Sequence, residues 1–191
     1  MKKLALTLSS LFFITLSIQL HAQMDEASQK AWMAYMTPGN VHQMLAKSEG
    51  QWKEDVTMWM MPGQEPMHST ASATNKMIMG GRYQQSTHTG DMMGMPFEGM
   101  SVMGYDNAKK MFVSSWVDNM GTGMMNMEGT WDDATKSITM KGTTVEPMTG
   151  KDMNVREVFK FMDDNTQMLE MYMMMPDGKE FKSMEIKFTR M

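Results

Sequence analysis

An all-β fold is predicted: an antiparallel up-and-down meander of nine or ten strands that closes into a barrel, led by short N-terminal helices. Three observations predict it. Beyond residue 50 many apolar residues recur with the period of two that a half-buried strand requires. Turn signals recur roughly every eight to twelve residues. Three connections share one form, Tyr105-Asp106-Asn107-Ala108, Trp131-Asp132-Asp133-Ala134 and Met162-Asp163-Asp164-Asn165. Each sets a bulky residue before two Asx residues, whose side chains bond the backbone two residues on and nucleate tight turns. Finally, no helical period separates the hairpins, so the strands pair sequentially. An open meander of that length would leave exposed edges, and closing it removes them.

The elements follow in order. Met1-Lys2-Lys3, the apolar run Leu4 to Leu20 and the small residue Ala22 have the pattern of a secretory signal peptide, residues 1–22. A helical segment, 23–49, comes next. Asp25 to Tyr35 is helix-compatible, Pro38-Gly39-Asn40 breaks it, and Val41 to Lys47 places Val41, Met44 and Leu45 on one face. The barrel domain spans 50–191. Its first strand alternates Trp52, Glu54, Val56, Met58 and Met60 with Lys53, Asp55, Thr57 and Trp59, and stops at Pro62-Gly63. The remaining strands are predicted at 67–79, 82–90, 97–105, 111–118, 123–131, 137–145, 153–162, 167–175 and 180–190, the last two joined through Pro176-Asp177-Gly178.

The apolar alphabet is unusual. Methionine supplies 32 of 191 residues; past residue 23 there are 31 Met against 2 Leu, 3 Ile and 8 Val. So few aliphatic residues would ordinarily mean disorder, so methionine must furnish much of the core. Without Lys2 and Lys3 the chain keeps 16 basic and 22 acidic residues, a net charge of −6. There is no basic run, which argues against nucleic acid or an anionic membrane surface as partner. Nothing after the signal segment has a spanning length of apolar residues, so no stable membrane insertion is expected once it is cleaved. Export, to the periplasm or beyond the cell, implies an oxidising compartment. Yet there is no cysteine, hence no disulfide, thiolate site or lipid anchor.

Gly50-Gln51-Trp52 opens the first strand and Arg190 lies in the last. The pair resembles the Gly-x-Trp and terminal Arg signature of lipocalin-like (calycin) barrels, and that resemblance implies a guanidinium stacked on the indole at the closed end. A wider resemblance runs from about residue 38 to 190. It rests on Pro38-Gly39 with His42 and Leu45, Gly50-x-Trp52, Met61-Pro62-Gly63, Glu65-Pro66-Met67, Gly80-Gly81-Arg82 and Met95-Pro96-Phe97-Glu98-Gly99. It continues through Gly104-Tyr105-Asp106, Trp116-Val117-Asp118, Gly121-Thr122, Met148-Thr149-Gly150, Arg156-Glu157, Pro176-Asp177-Gly178 and Glu185 with Arg190. These segments are similar to the bacterial domain-of-unknown-function family 1579. The resemblance implies a β-rich fold and no established activity, so it carries no catalytic residue. The chain departs from it in surplus methionine at Met92, Met93, Met124, Met125, Met127 and Met171 to Met175.

Candidate chemistry is sparse. There is no G-x-S-x-G, H-E-x-x-H, phosphate loop or dinucleotide fingerprint, and His42, His68 and His88 are too dispersed for a three-His zinc site. His42, on the short helix, reads as a packing or capping residue. Arg82, Trp116, Asp118, Arg156 and Glu185 lie on predicted strands near turns; pointing inward they would mark a ligand cavity, and pointing outward they would be surface ion pairs. The Gly-broken runs His88, Met92, Met93, Met95 and Met120, Met124, Met125, Met127 could gather thioethers around Cu(I) or Ag(I), as could Met171-Tyr172-Met173-Met174-Met175. The competing expectation is core packing at strand period, as for Met58 with Met60 and Met77 with Met79. Exposed thioethers would also consume oxidants. The leading expectation is an exported, non-catalytic protein that binds a small apolar or amphipathic ligand in a Met-rich barrel. Soft-metal binding comes second and an enzyme of unrecognised type third; the oligomeric state stays open.

Overall fold

A computed structural model describes residues 25–191; the segment 1–22, expected from the sequence to be a signal peptide, lies outside them. Helix α1 (Glu26–Met36) starts at Asp25, whose carboxylate accepts from the Ser28 amide at 2.7 Å. Helix α2 (Asn40–Ala46) starts at Gly39, whose amide donates to His42 Nδ1 at 3.0 Å, so His42 caps its own helix. Burial holds that imidazole below its usual pKa, and its ring meets Tyr105 edge-on at 6.1 Å. Among the described residues no helix is long and apolar enough to cross a membrane.

Ten antiparallel strands follow: β1 (Gly50–Met58), β2 (Met67–Ile78), β3 (Tyr83–Met92), β4 (Met95–Asp106), β5 (Met111–Asp118), β6 (Met125–Asp132), β7 (Ser137–Glu146), β8 (Lys151–Asp163), β9 (Thr166–Met174) and β10 (Glu180–Arg190). Each pairs with its sequence neighbours, and β1 pairs with β10 from Trp52 opposite Arg190 to Met58 opposite Met184. The barrel is closed and has no free edge. Arg190 lies over the Trp52 ring at 4.3 Å and closes the seam.

Alternation decides which residues face inward. Trp52, Glu54 and Val56 of β1 are buried while Lys53 is exposed; the same parity puts Phe112 of β5, Met127 of β6, Ile138 and Met140 of β7 and Val155 of β8 inside. Helix α2 covers one end, where Leu45 joins Phe112, Met127, Ile138, Met140 and Val155 in the main core. Helix α1 buries no residue and is held by its carbonyls. Asn107 Nδ2 donates to Ala34, Tyr35 and Thr37 O within 3.2 Å, and Arg82 Nη2 to Met36 O at 2.7 Å.

The β3–β4 connection differs from the Gly-broken methionine loop expected over 92–95. The strands run on until Met92 pairs with Met95, leaving a two-residue turn with positive φ at Met93 (55°) and Gly94 (78°). Positive φ at both central residues suits the twist of the flanking strands, and the Asp91 carboxylate accepts from the Gly94 amide at 2.7 Å.

Candidate functional site

The end of the barrel away from α2 is hollow. A cavity of about 220 Å³ lies there, and a second compartment of about 110 Å³ continues toward α2. His88, Trp116, Met125, Glu157, Leu169 and Phe188 border both and form a waist between them. Small inward residues create the space: Ser69 and Ala71 on β2 line it, and glycine stands at inward positions of β3 (Gly90, opposite Ala71) and β4 (Gly99, opposite His88). A Cβ on Gly99 would lie 2.6 Å from the Trp116 ring, so that glycine is what admits the indole.

The deeper compartment is mainly apolar but has Ser86, Ser101 and Ser114 in its wall. Three amides there fasten the last turn of α2 and the segment after it. Gln84 Nε2 donates to Leu45 O at 2.7 Å, Asn75 Nδ2 to Ser48 O at 3.0 Å, and Gln167 Nε2 to Ser48 Oγ at 2.7 Å. The α2 end is thus plugged by hydrogen bonds as well as by Leu45.

The outer cavity has methionine, phenylalanine and aliphatic walls with a few placed polar groups. His88 Nδ1 and Glu54 Oε1 are 2.7 Å apart, with nitrogen the donor because a carboxylate only accepts. Trp116 Nε1 donates to Asp118 Oδ2 at 2.6 Å, and the other Asp118 oxygen accepts from the Met120 amide at 2.9 Å. The His88 ring meets Trp116 edge-on at 5.1 Å, and Phe97 stacks beside the same indole at 6.3 Å. A histidine oriented by a carboxylate is half of a nucleophile-activating triad, but among the described residues no hydroxyl is hydrogen-bonded to this ring.

Glu157 is the odd member. It borders the cavity, and among the described residues its carboxyl has neither ion pair nor hydrogen bond. Burial pushes its pKa up to about 7. The folded chain therefore binds a proton there that the unfolded chain has lost, and stability falls as pH rises from about 4.5 to about 7. Glu157→Gln should remove that slope and leave the variant more stable at pH 8, by on the order of 2–3 kcal/mol. Urea denaturation of both chains across that range tests it; parallel curves would refute the assignment.

Of the residues singled out in the sequence as cavity candidates, Trp116 and Asp118 line the cavity. Arg82, Arg156 and Glu185 do not. Arg82 sits at the β2–β3 turn, bonded to Met79 O (3.1 Å) as well as Met36 O. Arg156 and Glu185 face outward, because Val155, Glu157, Met184 and Ile186 take the inward positions beside them. Arg156 forks onto Glu180 at 2.7 and 2.5 Å with its guanidinium 4.0 Å from the Tyr172 centroid. Glu185 accepts from Lys182 at 2.6 Å. Glu54 and Glu157 were missed as site residues, although each stands at a strand-parity position otherwise taken by Trp52 and Val56, or by Val155 and Phe159. That inward acidic placement was the available signal.

The soft-metal candidates separate. His88, Met92 and Met125 border the cavity and Met127 is in the core. Met93, Met95, Met120 and Met124 are exposed. Among the described residues no group of three or more His, Asp or Glu could hold a metal ion. The exposed set has a pattern of its own. Five hairpins surround the hollow end; four carry exposed methionines, namely Met60 and Met61, Met93, Met120 with Met124, and Met148. Dilute hydrogen peroxide should oxidise these rim thioethers well before the buried Met127 and Met140, as read by peptide mass spectrometry. Equal rates at rim and core would contradict the placement.

The profile of a family described as "Protein of unknown function (DUF1579)" matches residues 37–190. Among solved structures, the barrel is similar to the crystal structure of Rv2717c from M. tuberculosis, with a TM-score of 0.61 and 12% identity over 81% of this chain and 99% of that one. At that identity the likeness is one of fold. No curated protein matches the chain.

Proposed function

The chain belongs to the family described as "Protein of unknown function (DUF1579)", whose description names no activity, and we propose from the barrel's geometry that it is an exported, non-catalytic binding protein for a small apolar or amphipathic molecule. The observation that carries this is the cavity of about 220 Å³, open space where methionine side chains could have filled the barrel. Its chemistry is that of a ligand pocket, apolar walls with a few convergent polar groups. Met92, Met125, Met171 and Met184 supply walls that adapt to a ligand's shape. The signal-peptide pattern of residues 1–22 supports export.

Methionine also provides the test. With ¹³C-methyl methionine, titration with hexanol should move the resonances of Met92, Met125, Met171 and Met184 and leave those of Met60, Met61 and Met148 in place. Ser69→Leu, which sets a bulkier side chain into the cavity, should weaken the shifts. Shifts confined to rim methionines, or unaffected by Ser69→Leu, would sink the reading.

One observation favours a second reading. The same four thioethers and His88 border one cavity, a soft donor set for Cu(I) or Ag(I). Anaerobic titration read by native mass spectrometry should then show one ion per chain, lost when Met92, Met125, Met171 and Met184 become leucine. Absence of stoichiometric binding removes it.

A further inference from the structure

The cavity's charge is one-sided. Among the described residues four carboxylates border it, Glu54, Asp91, Asp118 and Glu157, against one histidine and no lysine or arginine. Three of the four are engaged: Glu54 with His88, Asp91 with the Gly94 amide, Asp118 with Trp116 and the Met120 amide. Glu157 is not. Its neighbours on the flanking strands are Met140 of β7 and Met171 of β9, so neither offers a donor. It stands at the waist, half-buried and bordering both compartments.

We propose that this cavity selects small organic cations, an ammonium head seated against the Glu157 carboxylate and a short apolar tail running along the methionine-lined wall toward the mouth. The inference rests on the binding reading above and names its ligand class. A half-buried carboxylate without a partner is costly, and a cation restores what the fold withholds. The carboxylates around it repel an anionic ligand and attract a cationic one. The Trp116 indole, on the same waist, adds a ring that favours a cation over a neutral group. Size sets the rest: at about 220 Å³ the cavity falls short of the roughly 300–1,000 Å³ of drug-sized pockets, which restricts the ligand to a head group and a short chain.

Protonation is coupled to this recognition. Near neutrality Glu157 is partly protonated, and a bound cation drives it to the ionised form, releasing a proton. The other titratable groups facing the same space are Glu54, His88, Asp91 and Asp118.

Calorimetric titration of the chain with hexyltrimethylammonium, hexanol and hexanoate tests the proposal. The fixed-charge cation should bind about tenfold or more tighter than hexanol at pH 8, with hexanoate weakest. Its affinity should rise between about pH 6 and about pH 8, with proton release visible as a dependence on buffer ionisation heat. Glu157→Gln should remove both the preference and the pH dependence; Glu157→Asp, which keeps the charge, should retain the preference. Hexanol or hexanoate binding as tightly as the cation would overturn the inference and leave the binding reading intact. So would a cation preference unchanged in Glu157→Gln. Binding of none of the three would overturn both.

Discussion

Trp52→Ala should cost about 3–5 kcal/mol in denaturant unfolding, the largest loss expected from any single side-chain truncation in this chain. The indole is fully buried beside Ala73 and Phe188, and its Nε1 donates to Ser48 O at 2.9 Å. Its face carries Arg190, which in turn binds three carbonyls: Lys47 O and Glu49 O at 2.6 Å each and Asp164 O at 3.0 Å. One side-chain pair therefore joins the first strand, the last strand, the segment after α2 and the β8–β9 turn. Losing the ring creates a large cavity and removes the surface on which the guanidinium rests. Arg190→Lys should lose most of what Arg190→Met loses, because an ammonium cannot span carbonyls arranged for a planar fork. A loss under about 1 kcal/mol for Trp52→Ala would show that the seam is held elsewhere.

Gly-x-Trp and the terminal Arg were legible because they are signature residues at the two ends of a meander, and parity then placed most strands within a few residues. Parity also explains what was misread. Arg156 and Glu185 attracted attention as charges on strands, yet the inward positions beside them are Glu157 and Ile186; stepping by two from Val155 puts the unpartnered acid, not the base, in the cavity. The His88–Glu54 pair was beyond sequence reasoning. Its members are 34 residues apart, and they meet only because β2 sits between β1 and β3 with Ala71 opposite Glu54 and Ala73 opposite His88. The methionines were half legible. Met140 and Met127, the latter grouped in the sequence with the soft-metal run, replace aliphatic core residues, whereas Met60 and Met79, expected to pack, are exposed, and the thioethers at 92–95 and 120–124 flank hairpins at the rim. Met93 takes a positive φ for which methionine carries no sequence signal, so the tight turn was hidden.

The same glycine logic that hollows one half of the barrel packs the other, and it sets the second large effect. Gly129 of β6 stands opposite Met140 of β7, and Gly142 of β7 stands opposite Met127 of β6. Each long thioether crosses the space its partner glycine leaves open, which is how an unbranched side chain fills a core so poor in leucine. A Cβ on Gly129 would lie 2.1 Å from Thr139 O and 2.6 Å from Met140 Sδ. One on Gly142 would lie 2.2 Å from Asn126 O and 2.8 Å from Met127 Cγ. The nearest atom is backbone in both cases, so neither a rotamer change nor a smaller neighbour relieves the contact. Gly129→Ala should therefore cost about 2–4 kcal/mol. Adding Met140→Ala should deepen the loss rather than rescue it, since it opens a cavity without moving Thr139 O. Met140→Leu, similar in volume, should cost under about 1.5 kcal/mol. Rescue by Met140→Ala would mean that the clash is with the side chain and that the two strands are free to separate.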